Sequence, residues 1–140
     1  MPWYESLIIL LVLVILLIMT VSLFIATSVV SPKRKSIVET KSEENGRDET
    51  LIPFLEENLT KTYTIDSSLG YKLVVYEMIH HDNDNFVVMS HGYTYSHHGM
   101  IKYAKMMMDL GFNIIMYDQR AHGLSKGKYT TLGYYEKNDL

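Results

Sequence analysis

Two short segments carry residue types that could take part in bond-making chemistry. The first, Ser90-His91-Gly92-Tyr93, follows the apolar run Phe86-Val87-Val88-Met89. A glycine at the end of a strand lets the backbone turn sharply. A peptide N–H there can face the crevice at the strand's C-terminal edge, where open α/β sheets bind their ligands. The second segment, Asp118-Gln119-Arg120-Ala121-His122-Gly123-Leu124-Ser125, follows the run Phe112-Asn113-Ile114-Ile115-Met116-Tyr117. Taken on its residues alone, it is a loop ordered by a buried Asp118–Arg120 contact, with Gly123 at the tight turn. The remaining histidines stand as adjacent pairs, His80-His81 and His97-His98. Adjacent side chains diverge on helix and strand alike, and no His-x-His or His-x-x-x-His spacing occurs, so no metal site is expected. The absence of cysteine removes thiolate nucleophiles, zinc–thiolate sites and disulfides.

The elements that must position these segments can be read from turn residues and periodicity. Thr62-Tyr63-Thr64-Ile65 and residues 71–79 are β-rich runs about Ser68-Leu69-Gly70, which predicts a β-hairpin. The polar stretch 81–85 is a turn, and Phe86-Val87-Val88-Met89 is a short continuous apolar strand of the fully buried kind. Ser96 is placed to cap a helix whose face carries Met100, Ile101, Ala104, Met107 and Met108. Gly111 stands where a left-handed residue ends such a helix. The order β-β-β-α-β, with a helix joining the last two strands, predicts a parallel pair and an α/β fold.

Residues 7–30 contain no charge and are almost wholly apolar, interrupted only by Thr20, Ser22, Thr27 and Ser28. About 24 residues rising about 1.5 Å each span roughly 36 Å, enough for a hydrocarbon core of about 30 Å. One transmembrane helix within residues 1–30 is therefore expected, making the lipid bilayer a partner. No Lys or Arg precedes the run and it is longer than a signal-peptide core, which argues against cleavage. Lys33, Arg34 and Lys35 follow it, and by the positive-inside rule they place the rest of the chain in the cytoplasm. Residues 31–50 mix both charges with few large apolar groups, the composition of a solvated linker. Residues 51–140 are expected to form the folded part, beginning with an amphipathic stretch from Leu51 to Leu59 that packs on the domain edge. The 140 residues carry a net charge of −3, which gives no basic field for nucleic acid.

Together, His91-Gly92-Tyr93 and the Asp118-x-Arg120-x-x-Gly123-x-Ser125 loop resemble the α/β-hydrolase fold superfamily. The resemblance is to the branch of serine aminopeptidases, monoacylglycerol lipases and related bacterial esterases, and it runs from Lys61 to Leu140. Gly127, Thr131, Gly133, Glu136 and Asp139 extend it, and Ala121 departs from it, since glycine is usual there. The resemblance implies the N-terminal portion of an α/β-hydrolase sheet and a cofactor-free serine hydrolase acting on a small-molecule ester, amide or lipid. It also implies that the Tyr93 N–H is an oxyanion donor, its partner being the N–H after the nucleophile. His91, Gly92, Asp118, Arg120, His122, Gly123 and Ser125 are motif positions with structural roles. The nucleophile belongs in Gly-x-Ser-x-Gly, which the sequence lacks. The chain is thus expected to stop before the triad and to be inactive alone. The competing reading is a non-catalytic interaction module built on a partial hydrolase fold.

Overall fold

A computed structural model of the chain describes residues 2–80 and 82–139, so His81 of the first histidine pair lies outside the described residues. It divides into two compact units, one ending at Pro32 and one starting at Lys33. The first is a single helix, α1 (Trp3–Val30), with exposed apolar side chains along its length. It is long and apolar enough to cross a membrane. Three of its hydroxyls bond back within the helix: Thr20 Oγ1 donates to the Leu16 carbonyl at 3.0 Å, Thr27 Oγ1 to Leu23 at 2.9 Å and Ser28 Oγ to Phe24 at 2.8 Å.

The second unit is an α/β fold built on one four-stranded sheet, β1 (Lys61–Asp66), β2 (Lys72–Met78), β3 (Phe86–Ser90) and β4 (Asn113–Tyr117), in the order β1-β2-β4-β3. β1 and β2 form the expected antiparallel hairpin, its turn closed by Ser67 N–H to Tyr71 carbonyl at 2.8 Å, with Gly70 at φ +80°. β2 pairs antiparallel with β4, and β3 lies parallel to β4. The β3–β4 connection is a 3₁₀ turn (His97–Met100) running into α4 (Ile101–Asp109). α4 ends in two bonds, Gly111 N–H to Met108 carbonyl (2.9 Å) and Phe112 N–H to Met107 carbonyl (3.1 Å). With Gly111 at φ +88°, this is the Schellman arrangement that the glycine predicts.

Strand alternation sends Val74, Tyr76, Met78, Met89, Ile114 and Met116 to one face of the sheet. There they pack with Leu51, Ile52 and Leu55 of α3 (Leu51–Asn58) and Ile101 and Ala104 of α4. At about 25 cal/mol per Å² of apolar surface, this cluster is the main stabilising feature of the unit.

Two expectations are corrected. β3 is not fully buried: Val88 is 54% exposed and Phe86 44%. β3 is the sheet's outer strand in this order, and only its Val87 and Met89 side turns toward the helices. Residues 31–50 are not simply solvated either, because they contain α2 (Ile37–Arg47). Its start is a capping box, in which Ser36 Oγ accepts the Glu39 N–H at 3.2 Å and the Glu39 carboxylate accepts the Ser36 N–H at 2.7 Å. Thr40 and Glu44, one turn apart, are buried on the domain. The face that α2 buries is polar, so apolar periodicity gives no sign of it.

Candidate active site

Parallel pairing places Ser90, the end of β3, opposite Tyr117, the end of β4. The two segments singled out in the sequence therefore leave the sheet side by side at its C-terminal edge. Their histidines bind them reciprocally. His91, after β3, accepts the Gln119 N–H of the other loop on Nε2 at 3.0 Å; His122, after β4, accepts the Thr94 N–H of the first loop on Nε2 at 3.1 Å. Each Nδ1 then carries the proton and donates to a carbonyl, His91 to Gly92 at 2.8 Å and His122 to Arg120 at 2.9 Å. That network assigns both rings the neutral form. Burial is also the largest influence lowering both pKa values, opposed in each case by the carbonyl the ring donates to. With both nitrogens committed, neither ring serves as a general base in this arrangement.

Asp118 is fully buried at the centre of the second loop. Its Oδ1 accepts the His97 N–H (2.9 Å) and His97 Nδ1–H (3.0 Å), and its Oδ2 accepts the Leu124 N–H (2.9 Å) and Tyr76 hydroxyl (3.0 Å). Burial opposes its ionisation, but these donors outweigh it and hold the carboxyl below the usual carboxylate range. The expected Asp118–Arg120 contact does not form. Arg120 instead lies between Tyr71 and Tyr135, its guanidinium 4.7 and 5.1 Å from the ring centres. Among the described residues His97 occupies the place expected of arginine. Its ring stacks on Tyr76 with centroids 3.7 Å apart. Adjacent-pair spacing had marked His97 only as a poor metal ligand, and the described residues contain no metal-ligating cluster.

The rest of the loop is built around that carboxylate. Gly123 has φ +51°, and a Cβ there would overlap the Asp118 carboxyl group. Ser125 Oγ donates to the Asp118 carbonyl at 2.5 Å and accepts the Val74 N–H at 2.8 Å, fastening the loop to β2. Ala121, the departure from the hydrolase pattern, sits at φ +60°, a conformation glycine adopts more readily. Glu136 folds the following segment back, accepting the N–H groups of Thr131 (2.7 Å) and Gly133 (2.9 Å). Despite partial burial, the Thr131 hydroxyl, which also donates to this carboxylate, and these N–H groups bring its pKa to about 2. Asp139 accepts the Tyr71 hydroxyl at 2.7 Å.

On the solvent side, Gly92 and the half-exposed Tyr93 border a shallow hollow with Lys35, Arg47, Thr94 and Tyr95. Gly92 is exposed there, and a Cβ added to it would meet nothing within 4 Å beyond its own chain neighbours. Lys35 belongs to a connection that the sequence did not reveal. Its N–H donates to the Thr94 carbonyl at 3.0 Å, and Arg34 donates to the carbonyls of Ala121 and Lys128. Charge counting marked both residues only as an orientation signal for the preceding helix.

No family model matches the sequence. Over 100 residues the chain is 36% identical to the uncharacterized protein YqkD of Bacillus subtilis, a match covering 71% of this chain and 32% of that protein. Among solved structures it is similar to the Pyrococcus furiosus esterase Pf2001. In the P21 crystal form the identity is 36% and the TM-score 0.53, over 57% of this chain and 32% of the esterase. In the P212121 form the values are 34% and 0.51, over 57% and 31%. The chain thus spans about a third of the length of the proteins it matches. The likeness is consistent with a hydrolase fold.

Proposed function

We propose that this chain is part of a membrane-anchored serine hydrolase of the α/β-hydrolase type that cleaves an ester, amide or lipid acyl bond. The observation that carries the reading is the stapled pair of loops at the C-terminal sheet edge, which holds the Gly92–Tyr93 peptide beside the open hollow. In this reading the Tyr93 N–H is one of two donors to the oxyanion formed when a serine attacks the substrate carbonyl. The other donor is the N–H after the nucleophile. Each such donor contributes about 2.7–4 kcal/mol to the transition state. In this reading substrate enters over the exposed Gly92, which carries no side chain of its own.

The nucleophile, its acid and its base lie outside these 140 residues. Serines near the edge are committed: Ser90 Oγ accepts the Tyr117 hydroxyl at 3.1 Å, Ser125 binds two backbone groups, and Ser96 is wholly buried. The test compares two proteins with a fluorophosphonate probe. The product of the whole reading frame should be labelled at the serine of a Gly-x-Ser-x-Gly elbow, and the 140-residue chain should not. Labelling of the short chain, or none of the long product, overturns the reading and favours a non-catalytic interaction module.

A further inference from the structure

The segment joining α1 to α2 grips both candidate loops, although it precedes every strand of the sheet. Arg34 donates to two carbonyls, Ala121 and, at 3.4 Å, Lys128, which flank the turn containing His122 and Gly123. The next residue, Lys35, gives its N–H to the Thr94 carbonyl at 3.0 Å. Between these two attachments lies the cross-loop bond from Thr94 N–H to His122 Nε2, 3.1 Å long. Both flanking residues hold unfavourable backbone, Thr94 at φ 64° and Ala121 at φ 60°. A β-branched residue in that region persists only where its surroundings over-determine it. Thr94 is fixed at both its N–H and its carbonyl, and one of those bonds comes from the strap.

We propose that Arg34 is a positioning residue for this edge, holding the Ala121 and Lys128 carbonyls so that the His122 ring stays where it accepts the Thr94 N–H. Thr94 follows Tyr93, so the strap also sets the peptide that the hydrolase reading makes an oxyanion donor. That last step rests on the hydrolase reading; the grip on Thr94 does not. The charges around His122 agree with the role. Asp118 and Glu136 favour its protonated form, the His91 ring lies 5.2 Å from it, and the Arg34 guanidinium opposes protonation. Protonation would put an N–H against the Thr94 N–H and break the staple.

The experiment uses the full 140-residue chain in detergent micelles and reads two NMR signals, exchange of the Thr94 amide proton and the pH titration of the His122 ring. In Arg34→Ala, Thr94 should exchange faster by up to about tenfold, the size of one lost hydrogen bond, and His122 should titrate at higher pH. β2 amides should stay protected. Arg34→Lys should restore the His122 titration, because the charge returns. It should leave Thr94 fast, because a compact ammonium lacks the two spaced nitrogens with which the guanidinium reaches the Ala121 and Lys128 carbonyls. Unchanged Thr94 exchange and His122 titration in folded Arg34→Ala overturns the proposal. If that variant does not fold, wild-type Thr94 exchange in Arg34→Lys overturns it equally. In the longer protein, Arg34→Ala should lower kcat while leaving KM unchanged. A wild-type long product that no fluorophosphonate labels defeats the hydrolase reading and leaves the NMR result standing.

Discussion

Gly123 and Ala121 share a left-handed backbone conformation two residues apart, and substitutions at them should act in opposite directions. At Gly123 a methyl group meets the Asp118 carboxylate, which already accepts from His97, Leu124 and Tyr76. Gly123→Ala should therefore cost at least about 2 kcal/mol in chemical unfolding, the left-handed penalty plus disturbed hydrogen bonds. At Ala121 the penalty is already present. Ala121→Gly relieves about 1–2 kcal/mol and costs about 0.5–1 in unfolded-chain entropy, so a net gain of about 0.5–1 is expected. The histidines set a pH dependence whose sign follows from their direction. His91, His98 and His122 all have folded pKa values below 6.5, His98 at about 4, with burial the leading cause. As pH falls below 6.5 the unfolded chain takes up these protons first. The stability they contribute is therefore present above pH 6.5 and is lost as pH falls through their folded values. Denaturant midpoints measured from pH 7.5 to pH 4 should decline steadily, and a flat profile would contradict the neutral staples.

At the scale of elements, α2 makes a test of how a polar face can dock a helix. Thr40 is wholly buried, with its hydroxyl 2.7 Å from Ser96 Oγ and 3.0 Å from His98 Nδ1, whereas the Ser36 cap faces solvent. Ser36→Ala should cost about 1 kcal/mol, as a lost cap does. Thr40→Val keeps the shape and strands buried partners, so about 1–3 kcal/mol is expected. Unfolding curves in which Ser36→Ala is the more damaging would mean that α2 is held by its own capping rather than by docking. The same helix shows where sequence reading ends. The β1–β2 hairpin, the β3-α4-β4 order and the Gly111 terminus were legible, because turn glycines and apolar spacing are local signals. α2 was not, because Thr40 and Glu44 bury hydroxyl and carboxylate rather than hydrocarbon. Nor was the exposure of β3, which depends on its place in the sheet. At the candidate site the motif residues were legible as a set, but their partners were not. His97 lies 21 residues before Asp118 in sequence, and nothing in its local context distinguishes it from the arginine two residues after.

For the whole molecule, what separates an anchored protein from a processed one is the fate of α1. The helix has no charge after Glu5, and the Thr20, Thr27 and Ser28 hydroxyls are bonded to its own carbonyls, which lowers the cost of placing them in hydrocarbon. On the insertion scale its Leu, Ile, Val and Phe side chains sum to a preference on the order of 5–10 kcal/mol for the membrane. The chain should therefore stay in the pellet after alkaline carbonate washing, be released by detergent, and keep Trp3 and Tyr4 on N-terminal sequencing. Cleavage after Ala26 would show a signal peptide instead. Replacing one central leucine by aspartate changes insertion by about 3–4 kcal/mol, which the remaining preference can absorb, whereas two such changes nearly cancel it. Leu16→Asp should thus remain carbonate-resistant, and Leu16→Asp with Leu17→Asp should shift much of the protein to the supernatant. The charge bias predicts the side: Lys33, Arg34 and Lys35 follow the helix, whereas its first turn carries Glu5, so a cytoplasmic α/β unit is expected. Protease added to intact cells should spare the α/β unit, and its digestion there would reverse the orientation.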